Sequence, residues 1–362
     1  MRLPRNHLSQ RSAAWSGWKE HGMANRLLIR LEYLIERARV LDLPSVVERA
    51  KAVEKQHGKA WPVVFADMLK EAGLHGTGFQ DYVDFDFALL NNRERRTYMT
   101  QAIANSVIMQ VNDPEYFDYF ENKVMFNKIF ADYIDREWFV VTEHTRDELK
   151  DFMQRQGRVI AKVPVSNSGY GVSRYEASEV KDWEEFRKLL IHRDQILLEE
   201  YIVQHDALMK VSPGVVNTTR VATYWDGEKA HIVCFAQKFG VGDQASDQMS
   251  FGGVMTLLDQ NGKATSPGYG SHQKVYANHP ETGESIEHFQ LPFVEETYQL
   301  AAEVAKEIPQ VPFVAWDFVI TPNGPTLVEG NRSPGMYENK VSVTGRRTGH
   351  KAQYKQAIGF EY

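Results

Sequence analysis

Between Phe313 and Gly335 the chain reads Phe-Val-Ala-Trp-Asp-Phe-Val-Ile-Thr-Pro-Asn-Gly-Pro-Thr-Leu-Val-Glu-Gly-Asn-Arg-Ser-Pro-Gly. Two apolar strands flank a Pro-Asn-Gly turn, and Asp317, Glu329 and Asn331 interrupt their otherwise buried pattern. A carboxylate among Phe, Val, Trp and Ile is costly to bury unless its charge is compensated. Glu329 and Asn331 are two apart and so share one face of a strand. If Pro322, Asn323 and Gly324 form a three-residue loop with Gly324 left-handed, Asp317 falls opposite Glu329 on that face. A two-residue loop would shift the register and split the faces. In the first case two carboxylates and an amide converge, hard oxygen donors of the kind Mg²⁺ takes with nucleotide phosphates. The other reading is a hairpin with a solvent-facing Glu and a capped Asp. Unpaired inward carboxylates are rare in strands this apolar, which favours the metal.

A second constellation runs from Ile160 to Val172. A strand carrying Lys162 enters a loop of Ser166, Asn167, Ser168, Gly169, Tyr170 and Gly171. Glycines let the backbone approach a phosphate closely, and consecutive amides can form an anion-binding nest. Lys162 would add a point charge. The lysine precedes the glycines, so this is not the Gly-x-x-x-x-Gly-Lys-Ser/Thr loop. The following Ser-Arg-Tyr-Glu-Ala reads as strand, so it is not a dinucleotide fingerprint either. Alone, such a loop is more often a hairpin. The strand end Glu199, Glu200, Tyr201 and Ile202, with His205 and Asp206 beyond, can offer backbone groups to an adenine edge and a carboxylate to ribose hydroxyls.

The elements that would position these groups follow from periodicity. Residues 23–75 read as helices: Leu27, Leu28, Leu31, Leu34 and Ile35 form one stripe, Val46, Val47, Ala50 and Val53 a second, and Trp61 to Leu69 a third. Asp81, Asp84 and Asp86 lack calcium-loop spacing and read as solvated or capping residues. From residue 115 the pattern becomes helix 115–131, strand 137–142, helix 146–155 and strand 158–164. Thr145-Arg-Asp-Glu148 is a capping box for the second of those helices. A helix at 182–191 and a strand at 196–202 follow. Two further strands are joined by Asp226-Gly227, a hairpin signal; a strand at 254–258 and a helix at 293–307 precede the acidic hairpin. Mixed strands and helices in this order indicate α+β lobes rather than one doubly wound sheet. The expected organisation is a basic arm over 1–22, a mainly helical region over 23–114, lobes over 115–195 and 196–345, and a tail over 346–362.

The 362 residues can build two or three lobes with real cores, and 43% hydrophobic with 25% charged content is ordinary for a globular protein. A formal net charge of −6 gives no whole-protein attraction for nucleic acid or an anionic membrane. The single cysteine, Cys234, excludes an intrachain disulfide and reads as a small core residue, in keeping with a cytoplasmic setting. No stretch approaches the length of a bilayer span, and the first 22 residues lack the apolar region of a secretory signal. No His or Cys spacing marks a zinc site, and no Gly-x-Ser-x-Gly marks a hydrolase.

Taken in order, Lys123 in Glu-Asn-Lys, Lys162 before a glycine-rich loop, the Glu-Glu-Tyr-Ile strand end and the Asp317…Glu329-x-Asn331 finish resemble the ATP-grasp superfamily, over about residues 120–340. Val203-Gln-His-Asp-Ala-Leu208, Val216-Asn-Thr-Thr-Arg-Val221 and Asp247-Gln-Met-Ser-Phe-Gly-Gly253 resemble its branch associated with sugar transfer and polysaccharide biosynthesis. The resemblance implies an ATP-grasp fold of two α+β lobes with ATP between them. Lys123 and Lys162 would bind phosphates, Ser166 to Gly171 would cover them, Glu199 to Ile202 would hold adenine, and His205 or Asp206 would face ribose. Asp317, Glu329 and Asn331 would carry Mg²⁺, with Mn²⁺ a possible substitute. Relatives with peptide-ligase activity often carry Arg two residues before the metal Asp; this chain has Ala315 there, and Arg220 is the candidate to supply that charge. Arg220, Lys238 and Arg332 are the cations that could stabilise developing charge, and each could equally be a surface strand residue.

The implied activity is an ATP-dependent carboxylate–amine ligase whose substrates are a small carboxylate and an amine or sugar-linked acceptor, with a homo-oligomer left open. A kinase for a small-molecule hydroxyl and a non-catalytic nucleotide-binding protein are the alternatives. The long loop Gly240 to Gly253 reads as an acceptor-side loop or a disordered insertion. His272 and Lys274 have the same two readings.

Overall fold

The computed structural model describes residues 42–166, 169–242, 246–271 and 274–360. The basic arm, the Leu27 to Ile35 stripe, Asn167, Ser168 and His272 lie outside the described residues. The chain divides into two compact units with the boundary between Phe79 and Gln80. In the first, α1 (Leu43–His57) and α2 (Trp61–His75) bury the faces that the periodicity gives them: Val46, Ala50 and Val53 on one, Val64 and Met68 on the other. Asp42 caps α1 by accepting the Ser45 N–H, and Pro44 occupies its first turn, where no N–H is missed.

The second unit begins with short helices and α3 (Gln101–Val111). Asp81 and Asp86 are not solvated here. Asp81 accepts the Gln101 N–H at 2.9 Å, and Asp86, 1% exposed, accepts the Ser342 N–H at 3.0 Å. Asp81 thus ties the lead-in helices to α3 and Asp86 ties them to the far end of the chain, which spacing along the sequence does not reveal.

The helix expected over 115–131 is broken into α4 (Asp118–Glu121) and α5 (Lys123–Ile129). The cause is Asn122, whose side chain accepts from Val124 N at 3.0 Å and Met125 N at 3.2 Å and so starts a new helix at Lys123. Four antiparallel strands follow: β1 (Trp138–Val140), β2 (Arg158–Lys162), β3 (Val172–Glu176) and β4 (Leu197–Glu200), in the order β1-β4-β2-β3. β4 therefore belongs to the first sheet, whereas the expected lobe boundary at 195/196 assigns it to the second. Leu149, Phe152 and Met153 of α6 (Arg146–Gln156) and Phe186 and Leu190 of α7 (Trp183–His192) join Val159, Ala161 and Leu198 in its core. Thr145 precedes α6 as expected but makes no capping hydrogen bond. Its hydroxyl instead accepts the Thr142 N–H at 2.8 Å, closing the turn behind the helix.

After α8 (Asp206–Val211) come β5 (Thr219–Trp225), β6 (Ala230–Phe239), β7 (Val254–Leu257), β8 (Gly268–Gly270), β9 (Val275–Tyr276), β10 (Phe313–Thr321) and β11 (Gly324–Asn331). They form an antiparallel sheet in the order β11-β10-β5-β6-β7-β8-β9. On β10, Val314, Trp316, Phe318 and Ile320 point into a core completed by Ala301 and Val304 of α9 (Val294–Val304). Side chains alternate along a strand, so Asp317 projects from the opposite face.

The acidic hairpin reaches its expected pairing by an unexpected route. Thr321 pairs with Gly324, so the loop is the two residues Pro322 and Asn323, with Gly324 at φ 133°. Left alone, that loop would put Asp317 opposite Val328. A bulge between Asp317 and Phe318 leaves Val328 unpaired and restores Asp317 opposite Glu329. One inserted residue thus returns both carboxylates and Asn331 to a common face.

Trp316 is 1% exposed, packs against Phe120 and Phe130, and donates its ring N–H to Thr223 Oγ1 at 2.9 Å. Trp316→Ala is expected to lower the unfolding free energy by about 3–5 kcal/mol, measured by urea denaturation.

Candidate active site

Charged residues line one face of the second sheet across four adjacent strands. Glu329 and Asn331 stand on β11, Asp317 on β10, Arg220 on β5 and Lys238 on β6, with Asp317 directly opposite both Glu329 and Arg220. Asp317 is 1% exposed. Arg220 grips it as a fork, Nε to Oδ1 at 2.8 Å and Nη2 to Oδ2 at 2.7 Å. Lys238 Nζ donates to Oδ2 at 3.1 Å. Burial alone would push this carboxyl up, but the two cations hold it well below the usual carboxylate range. The same contacts keep Lys238 charged against its own burial and against Arg220, with Asp247 and Asp317 raising it. Arg220 thus stands beside Asp317 from the neighbouring strand, where the sequence offers Ala315 on the aspartate's own strand.

Lys162 and Lys123 occupy the other sheet and its entry helix. Lys162, on β2, pairs with Glu199 of β4 at 2.5 Å. Glu199 is 3% exposed and also receives Arg136 Nη2 at 2.9 Å and Asn127 Nδ2 at 2.8 Å. Its carboxylate is therefore committed to holding Lys162 and is not the one offered to ribose hydroxyls, while the backbone of this strand end remains the part that the sequence reading assigns to adenine. Lys123 is the first residue of α5, and its ammonium donates to the Ser166 carbonyl at 2.8 Å and Oγ at 3.1 Å, fixing the start of the glycine-rich loop. Burial lowers the Lys123 pKa; the nearby charges of Glu329, Lys162 and Glu199 all act on it.

Gly169 and Gly171 both lie at φ 72°. A Cβ at Gly171 would sit 2.5 Å from Val163 Cγ2, and one at Gly169 would sit 2.7 Å from Ser246 Oγ. The loop needs glycine for conformation and for space. Tyr170 between them is 78% exposed. At the end of β4, Glu200 accepts the Glu137 N–H at 3.0 Å; beyond it, Arg158 lies 5.0 Å over the Tyr201 ring and Ile202 is half-buried. His205 Nδ1 accepts the Ala207 N–H at 3.1 Å and caps α8, in whose first turn Asp206 is exposed.

Arg332 donates to Glu121 at 2.9 Å and lies 3.9 Å over the Phe117 ring. It is thus held by α4 and the residue before it, and is not a member of the charged row. Sequence reasoning missed Asn127, Arg136, Asp247 and Tyr337. Asp247 Oδ2 accepts both the N–H and the hydroxyl of Thr218 at 2.7 Å, anchoring the described part of the 240–253 loop beside β5. Tyr337 accepts from Arg220 Nη1 at 3.1 Å. Asp247 opens one of the phrases that carry the family resemblance and Tyr337 lies just past the acidic hairpin; for Asn127 and Arg136 the sequence carries no signal.

The donor set suits a hard divalent cation. Asn331 Nδ2 lies 3.4 Å from Asp317 Oδ2 and 3.5 Å from Glu329 Oε1, so all three side chains border one volume. Rotating the amide presents its carbonyl oxygen there, giving three oxygen ligands. Among the described residues no cluster of three or more His, Cys, Asp and Glu side chains is placed to hold a metal, so this trio depends on the amide. No helix among the described residues is long and apolar enough to cross a membrane.

Two lysines, a glycine-rich loop and an acidic hairpin on paired α+β lobes define the ATP-grasp fold. The family of sugar-transfer associated ATP-grasp proteins matches residues 102–349, well over half of the chain, and the protein belongs to that family. No curated protein matches the chain. Remote similarities to solved structures include D-alanyl-alanine synthetase A from Vibrio cholerae O1 biovar eltor, at 13% identity and TM-score 0.42, covering 68% of this chain and 67% of that one. D-cycloserine synthetase DcsG shows 12% identity and TM-score 0.42 over 71% of this chain and 76% of that one. N5-carboxyaminoimidazole ribonucleotide synthetase, as its ADP complex, shows 12% and 0.40 over 67% and 52%.

Glu199 titrates well below the usual carboxylate range: burial raises it, and Arg136 and Lys162 more than offset that. A depressed folded-state pKa stabilises in full above the ordinary carboxylate value, and that stabilisation is lost as pH falls through the folded value. Glu199→Gln strands two cations and should cost about 3–5 kcal/mol at pH 7. The gap to wild type, read by urea denaturation, should narrow as pH drops below about 4.

Proposed function

We propose that the protein is an ATP- and Mg²⁺-dependent ligase that activates a substrate carboxylate as an acyl phosphate for attack by an amine or another nucleophile. The observation that carries this reading is the hard-cation set Asp317, Glu329 and Asn331 on one face of the sheet, joined to the lobe of Lys123 and Lys162 by Arg136, which donates both to Glu199 and to the Leu327 carbonyl of β11. Two lysines suited to phosphate and a hard-cation hairpin are thereby linked, as a nucleotide polyphosphate with its metal requires. Lys123 and Lys162 bind the phosphates, and the described residues of the glycine-rich loop, Ser166 and Gly169 to Gly171, cover them. The backbone of Glu200 to Ile202 takes the adenine edge, with His205 and Asp206 toward ribose.

Bound at Asp317, Glu329 and Asn331, Mg²⁺ would neutralise charge on the terminal phosphate oxygens. The substrate carboxylate oxygen attacks the γ-phosphorus, ADP leaves, and the amine nitrogen then attacks the acyl carbon with loss of a proton and release of phosphate. Arg220 contributes a fixed positive charge beside the transferring group without needing to reorganise, because Asp317 already holds it. Lys238 adds a second. Arg332 keeps the turn after β11 in place through Glu121. The family's association with sugar transfer supports an acceptor from glycan or sugar-conjugate synthesis.

Calorimetry with ATP, with and without Mg²⁺, tests the reading on wild type and Glu329→Ala. Micromolar-range binding is expected in wild type, tightened by Mg²⁺, with the Mg²⁺ dependence lost in the variant. No ATP binding under either condition would overturn it. Once a turning-over carboxylate is found, free phosphate alongside ADP marks the ligase, whereas a stable phosphorylated product would make the protein a kinase.

A further inference from the structure

Every nitrogen of the Arg220 guanidinium has a partner. Nε and Nη2 are committed to Asp317, while Nη1 donates to the Tyr337 hydroxyl at 3.1 Å, with the Arg220 carbon 5.7 Å from the Tyr337 ring centre. Tyr337 is thus the only neutral partner in these contacts. The distinction matters physically. A second carboxylate at Nη1 would cancel the charge that Arg220 brings to the reaction, whereas a phenol orients the group and leaves its charge intact. The electron-rich ring face favours the cation as well.

Tyr337 does not stand on a strand or helix, so something else must hold it. It sits between buried Met336 and buried Glu338 in the irregular segment after the acidic hairpin. Glu338, with its side chain fully buried, is the fastening. It accepts the Met99 N–H at 2.8 Å, the His350 N–H at 3.0 Å and the His350 ring Nδ1 at 2.9 Å. Two distant stretches of chain therefore clamp the residue next to Tyr337. A neighbour fastened on one side and a buried Met336 on the other give the phenol the defined position that orienting a guanidinium demands.

We infer that Tyr337 is a positioning residue for Arg220, setting the direction in which Nη1 meets the developing charge of the transferred phosphoryl group. The inference rests on the phosphoryl-transfer role proposed for Arg220. One Nη1 proton is spent on Tyr337, which aims the other. Because the ground-state pair with Asp317 is independent of Tyr337, loss of the hydroxyl should act on the transition state and spare nucleotide binding.

The test needs no knowledge of the acceptor. MgADP with aluminium fluoride mimics the transferring phosphoryl group, and its affinity relative to MgADP alone reports transition-state stabilisation. In Tyr337→Phe, which keeps the ring, that enhancement should fall about tenfold, while MgATP and MgADP affinities stay within twofold and the thermal midpoint within a few degrees. In an Arg220→Lys background the same change should add nothing further, because no guanidinium remains to aim. An unchanged enhancement in Tyr337→Phe, or equal losses in both backgrounds, would overturn the inference, and a lowered enhancement in Arg220→Lys alone would leave the ligase reading intact. Should wild type bind the fluoride complex no better than MgADP, the phosphoryl-transfer role of Arg220 falls and this inference with it.

Discussion

A carboxylate buried in the middle of an apolar sheet cannot stand alone, and the architecture around Asp317 follows from that constraint. Its ionised form survives because Arg220 and Lys238 approach from the next two strands and donate three hydrogen bonds to it. Desolvating a pair of charges costs nearly as much as their attraction returns, so the cluster is weak evidence for stability as such. Its effect is to fix positions. Asp247, 3.8 Å from Lys238, balances the second cation, which leaves Glu329 as the negative charge at the end of the row with no protein cation hydrogen-bonded to it in the hairpin.

The first sheet solves the same problem with the same parts. Glu199 is held by one arginine, one lysine and one asparagine: Arg136, Lys162 and Asn127. Asp317 is held by Arg220, Lys238 and Asn331. In each lobe a buried anion presents a lysine at a defined place, and the arginine supplies the planar, always-charged fork that makes the anchor directional. Arg136 also donates to the Leu327 carbonyl on β11 at 2.6 Å, so the first anchor reaches the strand that carries Glu329. The two lobes share a polar joint at the site itself.

Outside the charged row, neutral networks hold the irregular chain. Gln204 accepts the Asn217 N–H at 2.7 Å, Asn217 accepts the Gly240 N–H at 2.9 Å, and the Ser212 hydroxyl donates to the Gly240 carbonyl at 2.8 Å. All these side chains are buried, and each bond replaces one that the backbone would otherwise lose to desolvation. This explains why the phrases around Val203 to Leu208 and Val216 to Val221 are rich in amides and hydroxyls: they are internal fastenings between α8, β5 and the end of β6.

The residue types of the candidate site stand out in the linear sequence. Apolar runs either side of a Pro-Asn-Gly turn announce β10 and β11, and carboxylates within such runs announce a charge that must be met; the glycine-rich loop after Lys162 is equally explicit. What spacing could not supply is who meets whom. The fork between Arg220 and Asp317 spans 97 positions, and the contact that makes the Glu199 carboxylate the anchor of Lys162 depends on β4 lying between β1 and β2. The hairpin shows the limit most sharply. Sequence asked for a three-residue turn to bring Asp317 opposite Glu329; the chain uses two and recovers the register with a bulge at Val328. Local propensity sets the elements and their faces. Register, strand order and the partners of buried charges are decided by packing over the whole sheet, because an unpaired buried charge costs more than any local turn preference can return.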